Sequence, residues 1–209
     1  MLVLAAPAAS AATTVSIRVS PSETQFGSTT RITGTVAVDG VPAAGQPVSL
    51  EGRRYPYKDA FAPVVTGTTG PDGRYTFKQT RDRNWQFRVV AAGGTSKRVR
   101  AYVFPDTTLI FKARNARVIR LIQRYRVPKG VRLEQPTIFY LGKRGRTTAP
   151  RVATGELERV RAGRYTSTAL VRIPAAWDGK FRYASCFRYT GDSGMGNPRA
   201  SCPRKFRFR

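Results

Sequence analysis

The 209-residue sequence contains no histidine, only two cysteines, and 12 acidic residues against 37 lysines and arginines, for a net charge of +25. Without histidine there is no Ser-His-Asp or Cys-His nucleophile pair and no imidazole metal ligand. Two thiolates cannot complete a structural zinc site, which normally takes four Cys or His ligands. Only Glu156 and Glu158 lie close together among the carboxylates, so a calcium loop is not expected. We therefore expect no metal, no cofactor and no enzymatic activity.

Long apolar runs are also missing. No stretch reaches the roughly 18 uninterrupted apolar residues of a membrane-spanning helix, so we expect no transmembrane span. Apolar residues still make up 41% of the chain and aromatic residues 11%, which is enough for a folded core. The length predicts one or two domains.

The first eleven residues resemble the end of a signal peptide. An apolar run, Leu2 to Ala9, precedes the small-x-small triplet Ala9-Ser10-Ala11, but no basic residue precedes that run. We interpret 1–11 as a signal peptide that is either truncated at its start or a poor match to the pattern; the alternative is a frayed apolar N-terminus. Secretion would place the chain in an oxidising compartment, where Cys186 and Cys202 pair; the alternative is two buried free thiols.

Residues 15–104 show the alternation of short strands separated by turns. Val15, Ile17 and Val19 alternate with polar residues, and the same period recurs at Tyr75 and Phe77. Turn signals stand between these segments, among them Asp39-Gly40 and Thr69-Gly70-Pro71-Asp72-Gly73. About seven strands in about 90 residues predict a β-sandwich.

Three short motifs in this range resemble the secreted bacterial immunoglobulin-like and carboxypeptidase-regulatory-like modules. They are Asp39-Gly40-Val41-Pro42, Gly45-Gln46-Pro47-Val48-Ser49-Leu50 and Thr69-Gly70-Pro71-Asp72-Gly73-Arg74-Tyr75-Thr76-Phe77. The resemblance implies a hairpin, the strand after it, and a turn into an aromatic core strand. It implies no catalytic residue, because such modules serve as spacers, adhesins and enzyme appendages alike.

A boundary is predicted at Phe104-Pro105-Asp106, where proline interrupts the strand pattern and the charge changes. Residues 106–209 hold 24 of the 37 basic residues and about seven strand candidates. The sequence thus predicts an all-β chain of two immunoglobulin-like antiparallel β-sandwich domains in tandem, 15–104 and 106–209, the second basic and carrying a local disulfide. The segment Phe181–Phe187 resembles one in uncharacterised secreted actinobacterial proteins, which implies no activity.

The second half also shows signs of repeating the first. Gly163-Arg164-Tyr165-Thr166 matches Gly73-Arg74-Tyr75-Thr76 at an offset of 90, whereas Asp178-Gly179 matches Asp72-Gly73 at an offset of 106. At most one offset reflects a true equivalence, and independent origin of both is the alternative.

Residues 117–127 fit two structures. Ile119, Leu121, Tyr125 and Val127 form one face of a strand, and Val118, Leu121, Ile122 and Tyr125 also fit helical spacing. The β-branched content favours the strand; the alternative is a basic amphipathic helix.

Gly191-Asp192-Ser193-Gly194 resembles the nucleophile segment of chymotrypsin-like serine proteases. The chain has no histidine to act as general base, and Met195 stands where that family has glycine. We interpret the segment as a glycine-rich loop bounded by the disulfide. A hydrolase that uses Glu156, Glu158 or Asp192 as a base remains a remote alternative.

The densest basic run is the candidate binding site for a polyanion. Guanidinium groups bind phosphate and carboxylate bidentately, and aromatic residues are interleaved with them. A secreted protein would meet wall polymers and acidic polysaccharides before nucleic acid, and no nucleic-acid motif is present, so nucleic acid is disfavoured. The alternative is that the charge serves solubility. The run comprises Arg117, Arg120, Arg124, Arg126, Arg132, Lys143, Arg144, Arg146 and Arg151.

These observations together predict a secreted or cell-envelope, non-catalytic structural or binding module. The alternative is an extracellular protein dedicated to binding a polyanion such as a wall polymer or an acidic polysaccharide.

Overall fold

The computed structural model describes residues 12–177, 179–189, 193–198 and 202–208. The chain is all-β and forms two sandwich-like domains built from antiparallel sheets, which confirms the predicted fold class. The predicted signal peptide, 1–11, lies outside the described residues, as do Asp178, Gly191 and Asp192.

The two compact units alternate along the chain. The first comprises the described residues up to Ser22, Thr29–Arg81 and Trp85–Ala101. The second comprises Glu23–Ser28, Asp82–Asn84 and the described residues from Tyr102 onward. Three short segments of the range 15–104 therefore belong to the second unit: Glu23–Ser28, Asp82–Asn84 and 102–104.

The strands up to residue 104 range from two to ten residues in length. They are β1 Thr13–Val15, β2 Arg18–Ser20, β3 Glu23–Gln25, β4 Thr29–Val38, β5 Val41–Pro42, β6 Pro47–Arg54, β7 Ala62–Thr68, β8 Arg74–Thr80, β9 Trp85–Ala91, β10 Gly94–Thr95 and β11 Val99–Phe104.

Two antiparallel sheets make up the first unit. In one sheet β4 pairs with β1, β2, β5 and β8; the other has the order β11-β9-β6-β7, with β10 paired to β9. The predicted turn Asp39-Gly40 joins β4 to β5, and both of its residues have positive φ (50° and 79°), as a two-residue hairpin requires. In the second unit the last three residues of β11 pair in parallel with β3.

The core of the first unit lies between its two sheets. Alternate residues of β4 and β6 point inward, among them Ile32, Val36 and Leu50, none of which is measurably exposed. Phe87 and Val89 of β9 complete the same cluster. Burial of each such side chain contributes about 1.5 to 3 kcal/mol relative to exposure.

The strands of the second unit form two four-stranded sheets of order β12-β13-β17-β16 and β18-β14-β15-β19. Their apolar core includes Leu121 and Val171 from the first sheet and Phe139 and Leu141 from the second. A single 3-10 turn, Ala175–Trp177, is the only helix among the described residues. The strands are β12 Asp106–Asn115, β13 Val118–Arg126, β14 Thr137–Lys143, β15 Thr148–Gly155, β16 Leu157–Arg161, β17 Arg164–Arg172, β18 Phe181–Phe187 and β19 Lys205–Arg207.

The structure settles the conformation of residues 118–126 and the pairing of the two cysteines. Residues 118–126 form strand β13, which confirms the strand interpretation of 117–127. Cys186 and Cys202 form a disulfide, as predicted. It joins β18 to the segment that leads into β19. On the far side of that sheet from the core, Phe206 of β19 packs against buried Tyr140, and Phe208, just after β19, contacts Phe206.

The Gly-Arg-Tyr-Thr tetrapeptides occupy equivalent positions in the two units. Gly73 and Gly163 both have positive φ (70° and 73°). The carbonyl of each accepts a hydrogen bond of 2.9 Å from a valine amide, that of Val36 near the end of β4 or that of Val127 directly after β13. Each tetrapeptide then opens a strand that pairs with the longest central strand of its sheet, β8 with β4 and β17 with β13. The local geometry favours the offset of 90.

Candidate functional site

The outer face of the sheet β12-β13-β17-β16 is lined with arginine. Because side chains alternate along a strand, β13 directs Ile119, Leu121 and Tyr125 into the core and directs Arg120, Arg124 and Arg126 outward. This outer face is called the arginine face below.

The strand register adds basic side chains from β16 and β17 to this face. Arg126 lies between Asp106 of β12 and Arg164 of β17, and Arg164 lies opposite Arg161 of β16. In the adjacent row, Arg124 lies between Thr108 and Thr166. Further along the sheet, Lys112, Arg120 and Arg172 continue the basic surface.

A shallow open depression of about 570 Å³ lies in the arginine face. It is lined by the arginines Arg124, Arg161 and Arg164, by the threonines Thr166 and Thr168, by the apolar Ile122 and Val160, and by Tyr125 and Tyr165. Val160 is 65% exposed. The depression therefore combines cationic groups, hydroxyl groups and apolar surface.

Among the described residues the arginines of the depression make no ion pair, although Glu158 of β16 lies opposite Thr166 in the row of Arg124. Arg126 pairs with Asp106 at 2.9 Å. Within the part of the chain that the structure describes, no ion pair is made by Arg124, Arg161 or Arg164. Guanidinium groups without a carboxylate partner are free to pair with the anions of a ligand.

Buried tyrosines support the depression from below. The Tyr125 hydroxyl lies 2.6 Å from the hydroxyl of Thr137, and the Tyr165 hydroxyl donates to the carbonyl of Val131 at 3.0 Å. Burial raises the pKa of Tyr125 well above its usual range, although the hydrogen bond with Thr137 acts in the opposite direction. Burial therefore favours the neutral form of Tyr125, and the hydroxyl contacts of both tyrosines fix the strands that carry the arginines.

The nine residues predicted from the sequence separate into three groups. Arg120, Arg124 and Arg126 lie on the arginine face, and Arg117 lies in the turn before them, where its amide donates to Asn115 Oδ1 at 2.9 Å. Arg132 lies in the exposed loop before β14. The others are exposed in the hairpin β14–β15 of the other sheet: Lys143, Arg144, Arg146 and Arg151.

Arg161 and Arg164 were not among the predicted residues, although one signal for Arg164 was available. Arg164, Thr166 and Thr168 alternate with the buried Tyr165, Ser167 and Ala169 along β17. That alternation identifies an outward row of polar side chains. The sequence cannot indicate that β17 lies beside β13 instead of another strand.

In the glycine-rich loop that carries Ser193, the described residues 193–196 are held by backbone and side-chain hydrogen bonds. Ser193 Oγ accepts a hydrogen bond from the amide of Met195 at 3.2 Å. Buried Asn84 donates through its backbone amide to the carbonyl of Gly194 and through Nδ2 to that of Gly196, both at 2.8 Å. These contacts explain why Asp82–Asn84 belongs to the second unit. Glu156 and Glu158 are both exposed.

The described residues contain neither a cluster of metal ligands nor a membrane-spanning helix. Among the described residues, no three His, Cys, Asp or Glu side chains lie close enough together to hold a metal ion. No helix in the described ranges has the length and apolar character to cross a membrane. No protein-family model matches the chain, and no curated protein sequence matches it.

Proposed function

We propose that this protein is an extracellular, non-catalytic module of two immunoglobulin-like or carboxypeptidase-regulatory-like β-sandwiches that binds an acidic polymer, such as a wall polymer or an acidic polysaccharide, on its arginine face. The observation that carries the proposal is the group of Arg124, Arg161 and Arg164 around one open depression without carboxylate partners among the described residues. The disulfide supports an extracellular location, because disulfides persist in oxidising compartments.

The geometry fits an extended ligand better than a small molecule. Further basic residues, Arg120 and Arg172, lie on the same face beyond the row of Ile110, Ile122 and Thr168. A chain of regularly spaced anions would contact several guanidinium groups at once, and each contact would release counterions. Binding should accordingly weaken steeply with salt.

We expect the triple variant Arg124→Gln, Arg161→Gln, Arg164→Gln to bind fluorescein-labelled dextran sulfate about 30-fold more weakly than the parent protein at 50 mM NaCl. Three partly exposed ion pairs of at most about 1 kcal/mol each account for this factor. The slope of log Kd against log salt should become shallower by about 2 to 3. Fluorescence anisotropy titrations between 50 and 300 mM NaCl measure both quantities.

The matched control removes the same charge from the other sheet through Lys143→Gln, Arg144→Gln and Arg146→Gln. All three side chains are exposed in the β14–β15 hairpin, so this variant should keep its affinity within about twofold. Equal losses in both variants would show that net charge alone causes the binding. If the parent protein does not bind dextran sulfate at 50 mM NaCl, the polymer-binding role is wrong and a spacer role remains.

A further inference from the structure

A second basic surface lies on the first unit, on the outer face of the sheet β11-β9-β6-β7. Gln86 of β9 pairs with Arg53 of β6 on one side and with Arg100 of β11 on the other. In the next row, Arg88 pairs with Glu51, and the antiparallel register of β11 places Arg98 on the other side of Arg88.

The ring of Phe61 lies at the centre of this surface. The guanidinium carbons of Arg53 and Arg88 both lie 4.6 Å from its centre, and that of Arg98 lies 5.6 Å away. All three distances are in the range of a cation–π contact. Arg100 approaches a second ring, that of Tyr57, at 6.0 Å.

The charges of this cluster are largely uncompensated. Glu51 pairs with Arg88 at 2.7 Å. Arg53 donates through Nε to Gln86 Oε1 at 2.9 Å and, at 3.5 Å, to the carbonyl of Asp59. For Arg53, Arg98 and Arg100 no carboxylate partner occurs among the residues described. Charges that share one ring lie within about one Debye length, roughly 8 Å at physiological ionic strength, so they repel each other with little screening.

The ring contacts order these side chains before any ligand arrives. A free arginine side chain loses roughly 2 kcal/mol of rotamer entropy when it is fixed. The contact with Phe61 has already fixed Arg98 in part, and the contact with Tyr57 does the same for Arg100, so an oxyanion that pairs with these two would incur less of this entropy loss.

The loop beside the cluster supplies aromatic surface. Tyr57 is a non-glycine residue with φ of +67°, a conformation that costs energy and is concentrated at functional sites. The rings of Tyr55 and Tyr57 make an edge contact at 5.6 Å, and both residues are half-buried. Flat aromatic rings next to guanidinium groups suit a ligand that has an apolar ring face and an anionic substituent.

We propose that this cluster is an anion site for acidic sugars, in which a guanidinium pair formed by Arg98 and Arg100 holds the carboxylate or sulfate of a pyranose and the Tyr55–Tyr57 pair contacts its ring. This site is separate from the arginine face and does not depend on the function proposed for it. It is also a different kind of site, because it selects a single acidic sugar unit by shape and charge together.

The test uses trigalacturonate as the ligand and its methyl ester as the matched uncharged control. Both are titrated into the full-length Arg124→Gln, Arg161→Gln, Arg164→Gln variant, so that failure of the arginine face cannot affect the result. Amide shifts in ¹H–¹⁵N NMR spectra report the affinity and the location. We expect shifts at Gln86, Arg100 and Tyr57, and at least about 10-fold weaker binding of the ester.

Variants at the cluster complete the test. Arg98→Gln with Arg100→Gln, both exposed in the parent protein, should weaken trigalacturonate binding about 10-fold and leave the remaining spectrum unchanged. Galactose 6-sulfate compared with galacturonate distinguishes a sulfate from a carboxylate preference. Equal affinity for acid and ester, shifts confined to the second unit, or full affinity of the double variant would each overturn the proposal.

Discussion

Gly34→Ala is expected to destabilise the first unit by about 3 kcal/mol, which combines the cost of overpacking with the loss of a buried hydrogen bond. A Cβ atom at position 34 would lie 2.1 Å from the carbonyl oxygen of Ser16 and 2.3 Å from the hydroxyl of Tyr75. These two groups are hydrogen-bonded to each other. The Ser16 backbone cannot easily move, because its amide donates to the carbonyl of Thr35 at 2.9 Å.

The two tryptophans allow this loss to be measured in one unit at a time. Trp85 belongs to the first unit and Trp177 to the second, so Trp177→Phe leaves Trp85 as the reporter of the first unit. Urea unfolding followed by Trp85 fluorescence should show a clearly lower midpoint for Gly34→Ala, and melting should occur about 15 °C lower.

Gly70→Ala is the matched control for this substitution. The nearest atoms to a Cβ at position 70 are Asp72 Oδ1 at 3.3 Å, the end of an exposed side chain, and the carbonyl oxygen of Arg74 at 3.7 Å. We expect less than about 1 kcal/mol of change there. If both variants unfold at the same urea concentration, the prediction is wrong. The stability of this unit then does not depend on the close approach of Ser16 and Tyr75 to Gly34.

The sequence could not have indicated the role of Gly34. It stands in an alternating strand, where glycine only weakens the pattern, and its two neighbours come from positions far from it in the chain. Features that depend only on neighbouring residues could be predicted from the sequence. The hairpin at Asp39-Gly40 was predicted because its backbone preference depends on two adjacent residues, and strand β13 because alternation is a property of one segment.

On the arginine face, too, some residues could be predicted from local spacing and others depend on long-range strand pairing. Arg120, Arg124 and Arg126 share one side of β13, and period-2 spacing predicts this directly. Arg161 and Arg164 join them only through pairing between β13, β17 and β16, which depends on long-range packing. The hairpin residues Lys143, Arg144 and Arg146 are close in sequence but belong to the other sheet. Proximity in sequence therefore grouped residues that the fold separates.

The disulfide links Cys186 of β18 to Cys202, which precedes the short strand β19. It closes a loop across a sequence separation of 16 and ties the C-terminal strand β19 to the sheet. The aromatic ring of Phe206 packs against Tyr140 at 5.5 Å, and the Tyr140 hydroxyl donates to the carbonyl of Pro203 at 2.6 Å. Strand β19 pairs with β15 over only three residues, so we expect these contacts to weaken when the covalent link is removed.

We expect Cys186→Ser with Cys202→Ser to lower the free energy of unfolding of the second unit by about 3 kcal/mol, the loop-closure entropy for a loop of this length. Unfolding in urea, followed by Trp177 fluorescence in a Trp85→Phe background, measures this change. Hydrogen exchange should accelerate first at Phe206 and Arg207, because β19 would then detach while the core strands stay paired.

Reduction of the parent protein with dithiothreitol should reproduce both effects, and it should leave the urea midpoint of the first unit, followed by Trp85, unchanged. An unchanged midpoint after reduction would show that the aromatic contacts of β19 hold the C-terminal strand without the disulfide.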